Sequence, residues 1–204
     1  MKRLSLLLIV LATGMTGCTL TDSNRKEGPV PPMSIQSVEE AERVERSLEN
    51  QPENLSARVG LARFYSSIVF SKPLLRARKY DNIRWLVEHR PEYPELWRPE
   101  YSLDPAFDGM ERYSRIGDLW RKAMEKHPKS AAVAFNAGKY FLMEDPQVAE
   151  TCLKKACQLE PDSSIYACSL GHFYEIYAGR RSKIVLPDAW EKAMEEYERA
   201  YVLN

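Results

Sequence analysis

The stretch "NAGKYFLMEDPQVAETCLKKACQLEPDSS", Asn136–Ser164, decides how the chain folds. Ala137, Gly138 and Phe141 continue the spacing of Ala134, so the four share one helical face. Small residues on that face let a second helix come close. Pro146 and Gln147 open that second helix, and its inner stripe is Ala149, Leu153 and Ala156. Pro161 ends it and starts the next. The unit is two antiparallel helices, neither of which can bury its apolar face alone.

The pattern recurs at an offset of 33 residues. Trp120 meets Leu153, Ala123 meets Ala156, Pro128 meets Pro161 and Ser130 meets Ser163. Ala134 then meets Ala167, Ala137 meets Leu170, Gly138 meets Gly171 and Phe141 meets Tyr174. Each pair keeps its physical type, and stacked copies of such a unit bury a continuous core. Upstream the match is fainter. Pro52 stands for Pro128, while Leu61, Ala62 and Tyr65 fall on Ala137, Gly138 and Phe141. Pro91 is a middle member, with Trp97 on the position of Ala134, but the prolines of "RPEYSLDPAFDG" break the helix expected there. That segment reads as a structured loop with its own role.

These residues resemble the tetratricopeptide repeat. The matches are Gly138 and Phe141 in one first helix, and Ala167, Leu170, Gly171 and Tyr174 in the next. Ile116, Trp120, Ala123 and Pro128 match a second helix, and Ala193, Tyr197 and Ala200 repeat its stripe. The turn at Glu144-Asp145-Pro146 is one residue short of the family's period, and "AGRRSKIVLPD" is an insertion read as a lengthened helix plus loop. The resemblance implies an all-α fold, a right-handed α-solenoid of antiparallel helix pairs with roughly four repeats. The spacing places helices near 35–50, 54–71, 74–89, 94–102, 108–126, 131–143, 146–158, 163–179 and 187–203, in one domain over 34–204.

The resemblance also implies a groove lined by first helices. Its positions fall on Val59 and Arg63 in the early unit, on Ala132, Phe135, Lys139 and Leu142 in the middle one, and on Ile165, Cys168, His172 and Glu175 in the late one. Arg63, Phe135, Asn136, Lys139, His172 and Glu175 are therefore the expected partner-binding residues, in a surface suited to an extended or helical peptide. A carboxylate clamp is not expected. Asn136 matches one asparagine of that set, but Val59, Ile165 and Ser169 stand where cationic or amide groups are needed. Asn136 is expected to hydrogen-bond across the repeat instead.

The start of the chain gives an address. "MKRLSLLLIVLATGMTGC" has a basic start, an apolar run too short to cross a bilayer, and then small residues, the layout of a secretory signal over 1–17. Met15-Thr16-Gly17-Cys18 resembles a bacterial lipobox, which implies acylation of Cys18 by diacylglycerol and a further fatty acid such as palmitate. Thr19, where Asp would favour inner-membrane retention, points to a periplasm-facing lipoprotein of the outer membrane. Residues 18–33 are polar and Pro-rich and read as a lipidated tether, whose reach is roughly 20 Å. Without the signal the chain carries 27 basic against 29 acidic residues. That balance and the absence of any recognition motif exclude nucleic acid as a partner class.

Cys152, Cys157 and Cys168 remain in the mature chain. A bridge from Cys168 to Cys152 or Cys157 is open, and so is a role as buried apolar fillers. Trp97, Tyr101 and Phe107, in the irregular segment, are the aromatics expected to be exposed. His89 and His127 precede prolines at helix ends, where a capping or dipole role is expected. His172 and Glu175 lie three apart but lack a third metal ligand, and no phosphate loop, nucleophile elbow or paired-cysteine motif occurs. The reading is of a non-enzyme without metal or cofactor. It is a lipid-anchored scaffold or adaptor binding a protein of the cell envelope, with the C-terminal Tyr201, Val202 and Leu203 forming an apolar edge that docks a partner or a second copy, or packs back. The alternative is a solute- or glycan-binding accessory lipoprotein that stacks its ligand on Trp97, Tyr101 and Phe107.

Overall fold

The computed structural model describes residues 30–178, 186 and 188–204. Cys18, the signal segment and most of the insertion after Ala178 lie outside them. The described residues are helical and contain no strand. The helices are α1 (Val38–Ser47), α2 (Leu55–Ile68), α3 (Arg76–His89), the single turn α4 (Pro105–Asp108), α5 (Met110–Lys126), α6 (Ala131–Phe141), α7 (Pro146–Leu159), α8 (Ser164–Ala178) and α9 (Ala189–Val202). Short 3-10 turns occupy Pro73–Leu75 and Pro99–Tyr101. The described residues form two compact units, one within 30–159 and the other within 160–204.

Local chemistry sets most helix starts. Side-chain oxygens of Ser37, Asn54, Asp104, Ser130, Asp145 and Ser163 accept from backbone N–H groups in the first turns of α1, α2, α4, α6, α7 and α8, satisfying donors that a helix start leaves orphaned. Histidines stand at two helix ends, as their placement before prolines suggests. His89 closes α3, stacking on Trp85 at 4.7 Å with Nδ1 3.0 Å from the Trp85 carbonyl. His127 follows the last residue of α5, and its backbone N–H donates to the Ala123 carbonyl. Gly109, at φ 93, makes the left-handed step between α4 and α5 that a side chain would strain.

In the first unit, α2 packs on α3 and α6 on α7. Arg78 reaches Tyr65, while Arg58 lies 5.0 Å over the Trp85 ring, so α2 and α3 run in opposite directions. Helices α6 and α7, joined by four residues, form a second hairpin. In the other unit, Tyr174 meets Lys192, Gly171 meets Tyr197 and Pro161 meets Arg199, so α8 and α9 are antiparallel as well.

Glycine sets the closeness of two of these hairpins. A Cβ on Gly138 would lie 2.8 Å from Leu153 Cγ and 3.2 Å from Cys152 Cβ, and one on Gly171 would lie 2.9 Å from the Tyr197 ring. The two glycines that the 33-residue offset superimposes thus have the same task, each within its own unit.

The structure corrects two expectations. No α-helix occupies 94–102. Pro91, Pro94 and Pro99 remove donors and bias the preceding residues to extended backbone, leaving turns and the 3-10 turn at Pro99–Tyr101. The last residues of the presumed tether are also not loose. The Met33 N–H donates to the Ser56 carbonyl at 3.0 Å. Ser56 Oγ donates to the Pro31 carbonyl at 2.7 Å, and Tyr93 Oη to the Val30 carbonyl at 2.9 Å. This segment lies against α2 at Gly60, where a Cβ would come within 2.4 Å of the Met33 carbonyl oxygen. Backbone hydrogen bonding anchors a segment that its polar, Pro-rich composition marked as a free coil.

The close approach at Gly138 is testable as a coupling. Gly138→Ala forces Leu153 aside, and Leu153→Ala alone costs about 2–5 kcal/mol as a core truncation. In the Gly138→Ala background Leu153→Ala is expected to cost less by about 1 kcal/mol, read from urea unfolding of the four chains of the cycle. Additive effects would show that the helices do not meet there.

Candidate functional site: an aromatic and cationic cluster on a proline-rich loop

Residues 91–103 form a pinned loop between α2 and α6. Asn136, 1 % exposed on α6, donates through Nδ2 to the Pro91 carbonyl at 2.9 Å and to the Tyr93 carbonyl at 3.0 Å. Two carbonyl acceptors fix which end of the amide faces the loop, because only the NH2 group can donate to both. Its Oδ1 is buried without a partner. Ser66 Oγ, on α2, donates to the Glu100 carbonyl at 2.5 Å. Tyr93, Leu96, Tyr101 and Leu103 point inward and are buried, Tyr93 meeting Tyr101 edge-on at 6.4 Å. A loop with this many inward side chains and bonded carbonyls is a rigid platform.

The platform presents Trp97, which is half-buried. Phe135 backs it edge-on at 6.1 Å. Lys139 Nζ lies 5.7 Å and Arg98 Cζ 5.6 Å from the ring centroid, both within cation–π range. Arg98 also pairs with Glu95 at 3.1 Å. Arg63 is exposed on α2, and its charge is felt by the buried phenols of Tyr93 and Tyr101.

The expected site residues therefore divide. Phe135, Asn136 and Lys139 come together at the loop, though Asn136 acts from inside, as a clamp on loop carbonyls. Val59, a further groove position, is completely buried on α2. In the other unit, His172 Nδ1 lies 3.5 Å from Glu175 Oε2, and Tyr197 donates to the same oxygen at 2.5 Å. Among the described residues, no group of three or more His, Cys, Asp or Glu side chains could hold a metal ion. Cys152 is a free, buried thiol, in contact with the Met124 sulfur at 3.2 Å. Burial pushes its pKa up to about 11, which keeps it protonated and unreactive at neutral pH.

Tyr101 is a correction: expected exposed, it is 2 % exposed. The prolines that break the helix fold the chain back, turning the ring inward against Tyr93. Phe107 is exposed and meets Phe70 edge-on at 5.2 Å, whereas Trp97 meets Phe135. With Tyr101 interior, the three aromatics do not supply one shared stacking surface. Arg98 is the member of this cluster that sequence reasoning missed. Its place directly after Trp97 was the available signal.

At the far end of the chain Tyr201 and Val202 are each 82 % exposed. No helix among the described residues is long and apolar enough to cross a membrane. No protein-family model matches the chain, and no curated protein matches it.

Two outcomes follow from this geometry. Asn136→Ala leaves the Pro91 and Tyr93 carbonyls buried without their donor, at a cost of about 1–3 kcal/mol. The expected signature is faster amide exchange over 91–103 with helix content unchanged by circular dichroism. Burial, the largest cause, raises the phenols of Tyr65 and Tyr93 from 10 to about 12. A group that holds its proton more tightly when folded stabilises the fold below its unfolded pKa, and that contribution is lost as the pH climbs through the folded value. Urea midpoints should therefore fall between pH 10 and about 12, with a shallower fall in Tyr93→Phe.

Proposed function

We propose that this chain is a lipid-anchored scaffold of the bacterial cell envelope, built as a TPR-like α-solenoid, that binds a protein partner through the Trp97 platform. The observation that carries the reading is the half-buried Trp97 backed by Phe135 and flanked by Lys139 and Arg98. Tryptophan and arginine are the residue types in which interface energy concentrates, above all where a rigid support keeps their ordering cost low. The clamp from Asn136 and the bond from Ser66 provide that support.

The solenoid part of the reading is supported by three packed helix pairs and by the equivalent glycines Gly138 and Gly171. The anchor part rests on the lipobox-like Met15-Thr16-Gly17-Cys18 and the signal layout before it. With Cys18 acylated, the anchor lies only about a dozen residues from Val30 along the chain, so the platform works close to a periplasm-facing membrane, by our reading the outer one. Binding fits the site, because Arg98 and Lys139 hold two cations within cation–π range of the Trp97 ring on a pinned loop.

Trp97→Ala is expected to weaken capture of the partner by about 2 kcal/mol or more, some 30-fold, in crosslinked pull-downs from membranes. Lys139→Glu should reduce capture as well, and both variants should retain the helical circular-dichroism spectrum. Unchanged recovery of a stoichiometric partner with both variants would move the site off the platform.

A further inference from the structure

A second surface lies where the loop joining α2 to α3 meets α4. Four large apolar side chains stand exposed there: Phe70 at 69 %, Leu74 at 95 %, Phe107 at 48 % and Met110 at 59 %. Phe70 and Phe107 touch edge-on at 5.2 Å, which joins the two loops into one tip. Leu74 follows Phe70 by four residues, and Met110 follows Phe107 by three. Isolated exposed apolar residues are ordinary, but four on adjoining loops form a patch that asks for an apolar neighbour.

The charges around the tip say which neighbour. From Asn54 to Tyr80 the chain has no Asp or Glu but six basic residues, in a protein whose overall charge is balanced. Arg78 is used internally against Glu42 and Glu45, and Lys79 against Asp108. Lys72 and Arg76, on either side of Leu74, form no ion pair among the described residues, and Arg112 lies 5.9 Å over the Tyr80 ring. The nearby acids are largely engaged. Asp104 caps α4, Glu111 pairs with Arg115 at 2.6 Å, and Glu39 bonds to its own helix start while feeling Lys72. The tip is thus a protruding apolar knob interleaved with cations.

We propose that this tip is a membrane-docking element. Phe70, Leu74, Phe107 and Met110 enter the acyl-chain boundary of an anionic bilayer, and Lys72 and Arg76 remain at the level of the lipid phosphates. A soft bilayer admits separate protruding side chains without a matching pocket, and the favourable free energy combines buried apolar area with attraction of nearby cations to anionic lipid. The contact is independent of acylation at Cys18. Where both exist, the tip gives the domain a second point of contact with the bilayer and so fixes its orientation.

The test is hydrogen–deuterium exchange of the full-length chain, with and without vesicles of phosphatidylethanolamine and phosphatidylglycerol. Backbone amides over 69–76 and 105–112 are expected to slow by about tenfold or more on the vesicles. That protection should vanish in Phe70→Ser/Leu74→Ser and fade on phosphatidylcholine alone. Both side chains are exposed, so the double variant keeps its fold, which circular dichroism checks. Unprotected loops on vesicle-bound chain would overturn the proposal, as would protection that survives the double variant. Protection without lipid that grows with protein concentration would overturn it too, by identifying a second copy as the occupant. The mass of the peptide carrying Cys18 reports acylation separately, so a missing anchor and a missing tip contact are told apart.

Discussion

The distance between paired helices is the constraint on which the rest depends, and in two hairpins a missing side chain sets it. Gly138 lets Leu153 and Cys152 sit against the α6 backbone, and Gly171 does the same for the Tyr197 ring on α8. The cost of glycine inside a helix, about 1 kcal/mol against alanine, is offset by the dispersion and burial gained when large apolar groups reach that close. Gly60 uses the same freedom differently. The group that approaches it is the backbone of Met33, so a helix face that would otherwise meet a side chain carries a non-helical segment of the same chain.

With helix positions fixed in this way, the first unit can hold segments that have no regular structure of their own. The carbonyls of Pro91, Tyr93 and Glu100 in the 91–103 loop need donors, and α2 and α6 supply them through Ser66 and Asn136. A buried ion pair does comparable work at α4. Lys79 Nζ meets Asp108 Oδ2 at 2.8 Å, and the Asp104 N–H donates to the same oxygen at 2.9 Å. Such a pair adds little against an apolar pair of equal volume, but losing one partner leaves a buried charge, typically a cost of 3–5 kcal/mol. It therefore specifies where α4 sits, and with it the position of Phe107 beside Phe70.

Helix existence and boundaries were legible because small and large residues alternate at helical spacing and the caps and prolines are local signals. The observed helix limits fall within a few residues of those read from spacing, except at 94–102. Asn136 was legible as a polar residue flanked by apolar positions on its helix, although not its two acceptors. Tyr101 was misplaced because proline content tells that a helix breaks, not which way the chain then folds. The knob of Phe70, Leu74, Phe107 and Met110 was not legible at all. Its members are separated by as many as forty residues, and an exposed leucine in text looks the same as a buried one.

The amino-acid sequence by itself determined the helices, their caps, the glycine positions and the repeated spacing, since each rests on interactions within a few residues along the chain. Tertiary structure alone decided what meets what at long range: the Met33 backbone on Gly60, the Asn136 amide on the Pro91 and Tyr93 carbonyls, and Lys139 on the Trp97 ring. Those contacts join residues dozens apart, and their partners are fixed only after the helices have packed and left particular donors, acceptors and ring faces opposite one another.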